Sequence, residues 1–172
     1  MGILTGNPKE NPLHYGEIFD IWSFSKMAKG CLSAYGAFLN HAGDKDVKRL
    51  LEAAIDQAST IAAECDDILK DHGIMPPPAL PERAKAEWTD IPAGARFSDM
   101  EIAAAMSADH AAGLVACSQV MGKCVREDIA ALFAKYHDAK AALNLRLLRL
   151  NKEKGWLVPP PLQIKRPEPV EV

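Results

Sequence analysis

The sequence predicts an all-α fold: a four-helix bundle made of two antiparallel helical hairpins joined by a long crossover. Two observations carry that expectation. All 12 prolines fall at 8–12, 76–92 and 159–169, which leaves proline-free runs of 63 and 66 residues rich in Ala, Leu, Lys and Glu, and a helix interior tolerates proline poorly. Within those runs apolar residues recur three and four apart, the period of one helix face. A Pro-rich disordered chain, a collagen and an all-β domain with frequent turns do not fit this pattern. The 172 residues suit one domain. Its parts are hairpin 1 over about 11–73, a crossover over 74–97, hairpin 2 over about 98–155 and a tail over 156–172.

Asn11 and Pro12 read as N-cap and first residue of the first helix. Its stripe is Ile18, Ile21, Trp22, Ser25, Ala28, Leu32, Tyr35 and Leu39. Gly43 then stops the helix, Asp44 caps the next, and Asp46 places a carboxylate in its first turn. The second stripe runs Val47, Leu50, Leu51, Ala54, Ala58, Ile61, Cys65, Ile68 and Leu69. Gly73 fits the C′ position of a Schellman ending, with Ile74 as its apolar C″ residue and Pro76–Pro78 barring continuation. The connection over 74–97 is long for a structureless loop, as it must be to cross the bundle from end to end. Trp88, Ile91 and Phe97 are candidates to pin it. Ser98 and Glu101 form a capping box. The third helix carries Ala103, Met106, His110, Gly113, Cys117, Val120 and Met121 on one face. A turn is expected around 122–125, since Glu127 and Asp128 suit a first turn. The fourth helix shows Ile129, Leu132, Phe133, Tyr136, Ala139, Leu143, Leu147 and Leu150, then ends at Gly155 with Trp156 at C″. The Pro-rich tail is expected to be extended.

Helices of about 24–30 residues would be ~36–45 Å long. Short connections make the members of each hairpin antiparallel. The long connection makes the second and third helices parallel, and one long crossover between two hairpins is the ferritin-like arrangement. The halves also match at a shift of 82. Asp46, Val47, Leu50 and Leu51 meet Asp128, Ile129, Leu132 and Phe133, and Gly73 meets Gly155. Ala54 against Tyr136 and Ala58 against Lys140 match poorly. A duplicated hairpin and two amphipathic hairpins with similar caps both account for this.

A ferritin-like bundle raises the possibility of a di-iron or di-manganese site, which takes Glu-x-x-His from two helices and Glu from the other two. Three residues before His14, His41, His72, His110 and His137 stand Asn11, Phe38, Leu69, Ser107 and Ala134, so the motif is missing. Glu52, Asp56, Glu64, Asp66 and Asp67 fall mostly off the apolar stripe and read as solvent-facing. No catalytic, cofactor-binding or metal-ligating residue is assigned, and no cofactor is expected. A possible polar pocket remains: Asp109, His110 and Cys117 on the third helix with Tyr136 and His137 on the fourth, and Ser25, Lys29 and Tyr35 near the first stripe. Satisfied polar core residues are the plainer reading. His14 and Glu17, one turn apart, read as a pair supporting the helix start. There is no nucleophile elbow, no Gly-rich phosphate loop and no haem-attachment motif.

The net charge of −3 with mixed signs argues against a nucleic-acid surface. Lys152, Lys154, Lys165 and Arg166 read as helix-end cations and a solvated tail. Cys31, Cys65, Cys117 and Cys124 show neither CxxC nor zinc spacing and read as reduced, buried thiols. No apolar run reaches the length of a membrane span, and Met1–Glu10 is not a signal peptide, so cytoplasmic synthesis is expected. Homodimerisation is expected from Phe19, Phe24 and Phe38, which lie partly off the first stripe.

Three stretches, Pro12-Leu-His-Tyr-Gly-Glu-Ile-Phe19, Asp109-His-Ala-Ala-Gly-Leu-Val-Ala116 and Lys152-Glu-Lys-Gly-Trp-Leu-Val-Pro-Pro-Pro161, resemble a ferritin-like family of unknown function. That family comes from spore-forming bacteria and is related to the spore coat protein F-like domains. The resemblance covers roughly residues 10–167 and is most specific at Lys-Gly-Trp-Leu-Val-Pro. It implies a four-helix bundle, a non-enzymatic structural or assembly role in or near the spore coat, and protein partners. It transfers no catalytic residue. The alternative is a metal- or small-molecule-binding bundle with a non-standard polar site.

Overall fold

The computed structural model describes residues 11–163. Four helices account for most of them: α1 (Tyr15–His41), α2 (Lys45–Asp71), α3 (Asp99–Lys123) and α4 (Glu127–Glu153). Two short 3-10 turns, Trp88–Asp90 and Ala93–Ala95, interrupt the crossover. No strand occurs among the described residues. The α1–α2 and α3–α4 pairs pack most extensively, and α2 also touches α4 while α1 touches α3. All four of these neighbouring pairs are antiparallel. The diagonal pairs, α2 with α3 and α1 with α4, run parallel.

The first helix begins three residues later than Asn11–Pro12 predicts. His14, not Asn11, is its N-cap. The His14 ring accepts from the Gly16 and Glu17 N–H groups, and Glu17 accepts from the His14 N–H at 3.2 Å. This is a capping box with histidine in the serine position. Ser98 and Glu101 make the corresponding box on α3, and Asp44 caps α2 through the Asp46 and Val47 N–H groups.

Both hairpins close in the same way. At the end of α2 the Gly73 N–H donates to Lys70 O and the Ile74 N–H to Leu69 O; at the end of α4 the Gly155 N–H donates to Lys152 O and the Trp156 N–H to Asn151 O. Gly73 and Gly155 have φ of 72° and 71°, the left-handed conformation a Schellman motif requires of C′. α4 is α2 shifted by 82 at both bounds.

The same shift governs the turns. Glu17 Oε1 accepts from the Val125 and Arg126 N–H groups in the α3–α4 turn at 2.8 and 2.9 Å. Asp99, 82 residues after Glu17, accepts from the Gly43 and Asp44 N–H groups in the α1–α2 turn at 2.9 and 3.1 Å. Each hairpin's turn is thus closed by a carboxylate from the first turn of the other hairpin.

The crossover lies along α1. The Trp22 indole donates to Met75 O, Lys29 to Pro77 O, and the Asn40 side chain bonds both Ala84 O and Ala86 N. Phe97 packs edge-on against Phe38 and His41, as its candidacy as an anchor requires. Trp88 stays 46% exposed and is covered by Arg96, 3.8 Å from its ring centre. Polar side chains of α1 thus pair with crossover backbone along its length.

Two apolar clusters fill the bundle. One gathers Ile21, Phe24, Ile61, Leu69, Ile129 and Phe133 near the α1 start; the other gathers Val47, Leu51, Ile102, Met106, Leu143 and Leu147 near the opposite end. Phe24 is interior, edge-on to Phe133 at 4.9 Å, and Phe38 is packed on Phe97. Of the three phenylalanines that motivate dimerisation, only Phe19 is exposed. The tail's Lys165 and Arg166, and Met1–Glu10, lie outside the described residues.

Candidate functional site

A polar belt separates the two apolar clusters. Tyr35 on α1 donates its hydroxyl to Asp109 on α3, and the Cys31 thiol lies 3.6 Å from both Asp109 oxygens. The buried His110 ring stacks on Tyr35, and its Nδ1 donates to Met106 O at 2.8 Å. Lys140 of α4 is also buried, at 8% exposure. Gly113 makes room for it, because a Cβ there would fall 3.0 Å from Lys140 Cδ and Cε. Asp109, His110, Lys140, Tyr35 and Cys31 border a cavity of about 10 Å³, space for about one water.

Each environment sets a protonation state. Burial, and then Asp109, pushes the Cys31 thiol up to about 12. Burial pushes Cys65 to about 12 and Cys117 and Cys124 to about 11. These thiols stay protonated near neutrality and are poor nucleophiles. Burial also lowers the His110 pKa below 6.5, outweighing the Met106 hydrogen bond, so the ring is neutral and Nδ1 carries the proton. All four cysteines are free.

The five residues suggested by the sequence do not converge. Asp109 and His110 belong to the belt. Cys117 and Tyr136 sit in the cluster near the α1 start, where Tyr136 stacks on Phe24 and its hydroxyl lies 4.0 Å from Cys65. His137 is half-buried and its closest charged neighbour is Asp138 on its own helix, at 3.7 Å. The seven-residue spacing that puts Cys117 on the face of His110 also carries it two turns along α3, beyond Lys140. Among the described residues no three His, Cys, Asp or Glu side chains are arranged to hold a metal ion.

Ser25 and Lys29 go elsewhere as well. Ser25 donates to Asp66 Oδ1 at 2.5 Å and Lys29 to Asp66 Oδ2 at 2.6 Å. Asp66 is thus an interhelical link rather than a solvent-facing carboxylate, and Glu64 likewise pairs with Lys135 of α4 at 2.7 Å.

Sequence reasoning missed Lys140 and Arg126. Lys140 follows Tyr136 by four residues and precedes Leu143 and Leu147, so its place on the stripe was visible, but lysine is rarely buried. Arg126 is 5% exposed. It binds Asp128 through two nitrogens and reaches Asn11 O and the His72 ring at 3.0 Å each. With Glu17, this knots the ends of all four helices. Burial would raise the Glu17 pKa, but the N–H groups of Arg126, Val125 and His14 outweigh it and hold the carboxyl below 4.5.

Residues 1–168 match a family described as "Protein of unknown function (DUF3231)". The chain is 47% identical to the uncharacterized protein YvdQ of Bacillus subtilis over 166 residues, covering 96% of this chain and 98% of that one. A solved Bacillus halodurans structure named "putative spore coat protein" superposes with a TM-score of 0.91 at 45% identity, covering 92% of this chain and all of the other. A conserved hypothetical protein from Mycobacterium tuberculosis superposes with a TM-score of 0.64 over 80% of this chain and 98% of its own. At 14% identity, that match speaks to the fold alone.

Proposed function

The chain belongs to the DUF3231 family, and from that premise we propose that it is a non-enzymatic structural or assembly protein of the spore coat. In this reading it is a ferritin-like bundle, made in the cytoplasm and self-associating as a homodimer. The observation that carries the proposal is the near-complete match to the Bacillus halodurans protein, at 45% identity and a TM-score of 0.91. The interior supports it. The belt's carboxylate is occupied by Tyr35 and Cys31, its imidazole is bound to Met106, and its Cys31 thiol is protonated. Tyr35 and Cys31 tie α1 to α3 through Asp109, while the His110 hydrogen bond stays within α3, so these groups are already engaged. No helix among the described residues is long and apolar enough to cross a membrane.

Localisation tests the proposal. A tagged chain expressed in sporulating cells is expected in the extracted coat fraction. Recovery only from vegetative cytoplasm, with none in the coat, would contradict the role.

A further inference from the structure

The crossover encloses space as it passes along α1. Two adjoining grooves of about 360 and 400 Å³ share Gly36 and Arg83 as walls. The larger is bordered by Leu39 and Asn40 of α1, Lys48 of α2, and Arg83, Lys85 and Trp88 of the crossover. Its volume is within the range of small-molecule sites.

Three features make this groove more than a surface crevice. First, Asn40 fixes its rim: the side-chain amide donates to Ala84 O at 2.9 Å and accepts from Ala86 N at 3.2 Å. It therefore grips the backbone on both sides of Lys85. Second, charge is concentrated there. In a chain of net charge −3, three cations face one acid, Glu87, around the groove. Lys48, Arg83 and Lys85 enter no ion pair among the described residues. Third, Trp88 supplies an aromatic wall whose ring is backed by the Arg96 guanidinium at 3.8 Å. Arg96 is itself held by the Ile91 and Thr89 carbonyls at 2.7 and 3.3 Å.

We propose that this groove binds a phosphorylated small molecule with a planar body. The phosphoryl oxygens lie against Arg83, Lys85 and Lys48, and the planar body covers Trp88. Guanidinium and ammonium groups together suit phosphate, the first by bidentate geometry and the second as a point charge. The indole face and Leu39 suit a flat apolar ring.

Isothermal titration calorimetry of the full chain with ADP and with pyrophosphate tests this. ADP is expected to bind saturably with a Kd tighter than about 1 mM, more tightly than pyrophosphate, and more weakly as salt rises. Arg83→Ala combined with Lys85→Ala is expected to weaken ADP about tenfold or more. Both side chains are exposed, so helix content and melting temperature should not change. Trp88→Leu should weaken ADP and leave pyrophosphate unaffected. No saturable binding of either probe, or ADP affinity unchanged in the double variant, overturns the site. Pyrophosphate bound as tightly as ADP overturns the planar-body assignment.

Discussion

Glu17 does two jobs with one buried carboxylate. At 1% exposure, it closes the capping box of α1 and accepts from the N–H groups of Val125 and Arg126. Removing it would leave buried donors unpaired, and Glu17→Ala is expected to cost about 2–4 kcal/mol in urea unfolding at neutral pH. Because its folded pKa is held below 4.5, its stabilisation is fully present above that pH and disappears as pH falls through the folded value. His110 adds a second acid effect at higher pH. Its folded pKa lies below 6.5, so below that pH the unfolded state binds protons that the fold refuses, and stability falls. Unfolding measured against pH should therefore show two acid-sensitive windows: His110→Gln should flatten the upper, and Glu17→Ala should reduce the lower, which Asp44, Glu64, Glu101 and Asp128 share because their carboxyls are also held below their ordinary values. Glu17 was legible in the sequence as half of a local pair with His14. Its larger role was not, because the second set of partners lies 108 and 109 residues away.

The helices owe their limits to local chemistry, and that is why most of their ends can be read from sequence. Gly73 and Gly155 sit at positive φ, and Ser98 with Glu101 satisfies two donors at the start of α3. Gly73→Ala and Gly155→Ala should each destabilise by about 1 kcal/mol, because a Cβ is strained in the left-handed region. Thermal melts of the two variants should show similar losses, as befits equivalent places in the 82-residue repeat. The start of α1 was misplaced because Asn11–Pro12 is the commoner signal and a histidine N-cap is not. The crossover was legible as a connection but not as a groove wall, since its anchors are α1 side chains that meet crossover backbone far along the chain. The reciprocal capping by Glu17 and Asp99 strengthens the case for a duplicated hairpin. Similar stripes arise from helix physics alone, whereas crossed carboxylate-to-turn hydrogen bonds at one common offset are an additional coincidence.

At the scale of the whole molecule, the bundle is two apolar clusters joined by a polar belt and knotted at the end where Arg126 meets Asp128, His72 and Asn11. The sequence made the all-helical class readable, through proline placement and the three-and-four stripe. It made Asp109, His110 and Tyr35 of the belt readable as polar candidates but not Lys140, which fills the space left by Gly113 on another helix. A structural role predicts that the belt's reactive groups matter only through packing. The most direct test replaces them with non-titrating groups, as Asp109→Asn with His110→Gln. Circular dichroism and urea unfolding would first establish that this variant folds, and its recovery from the coat fraction of sporulating cells would then be compared with that of the parent chain. The account predicts equal recovery. Loss of a fully folded variant from the coat while the parent is retained would contradict it, as would absence of the parent itself.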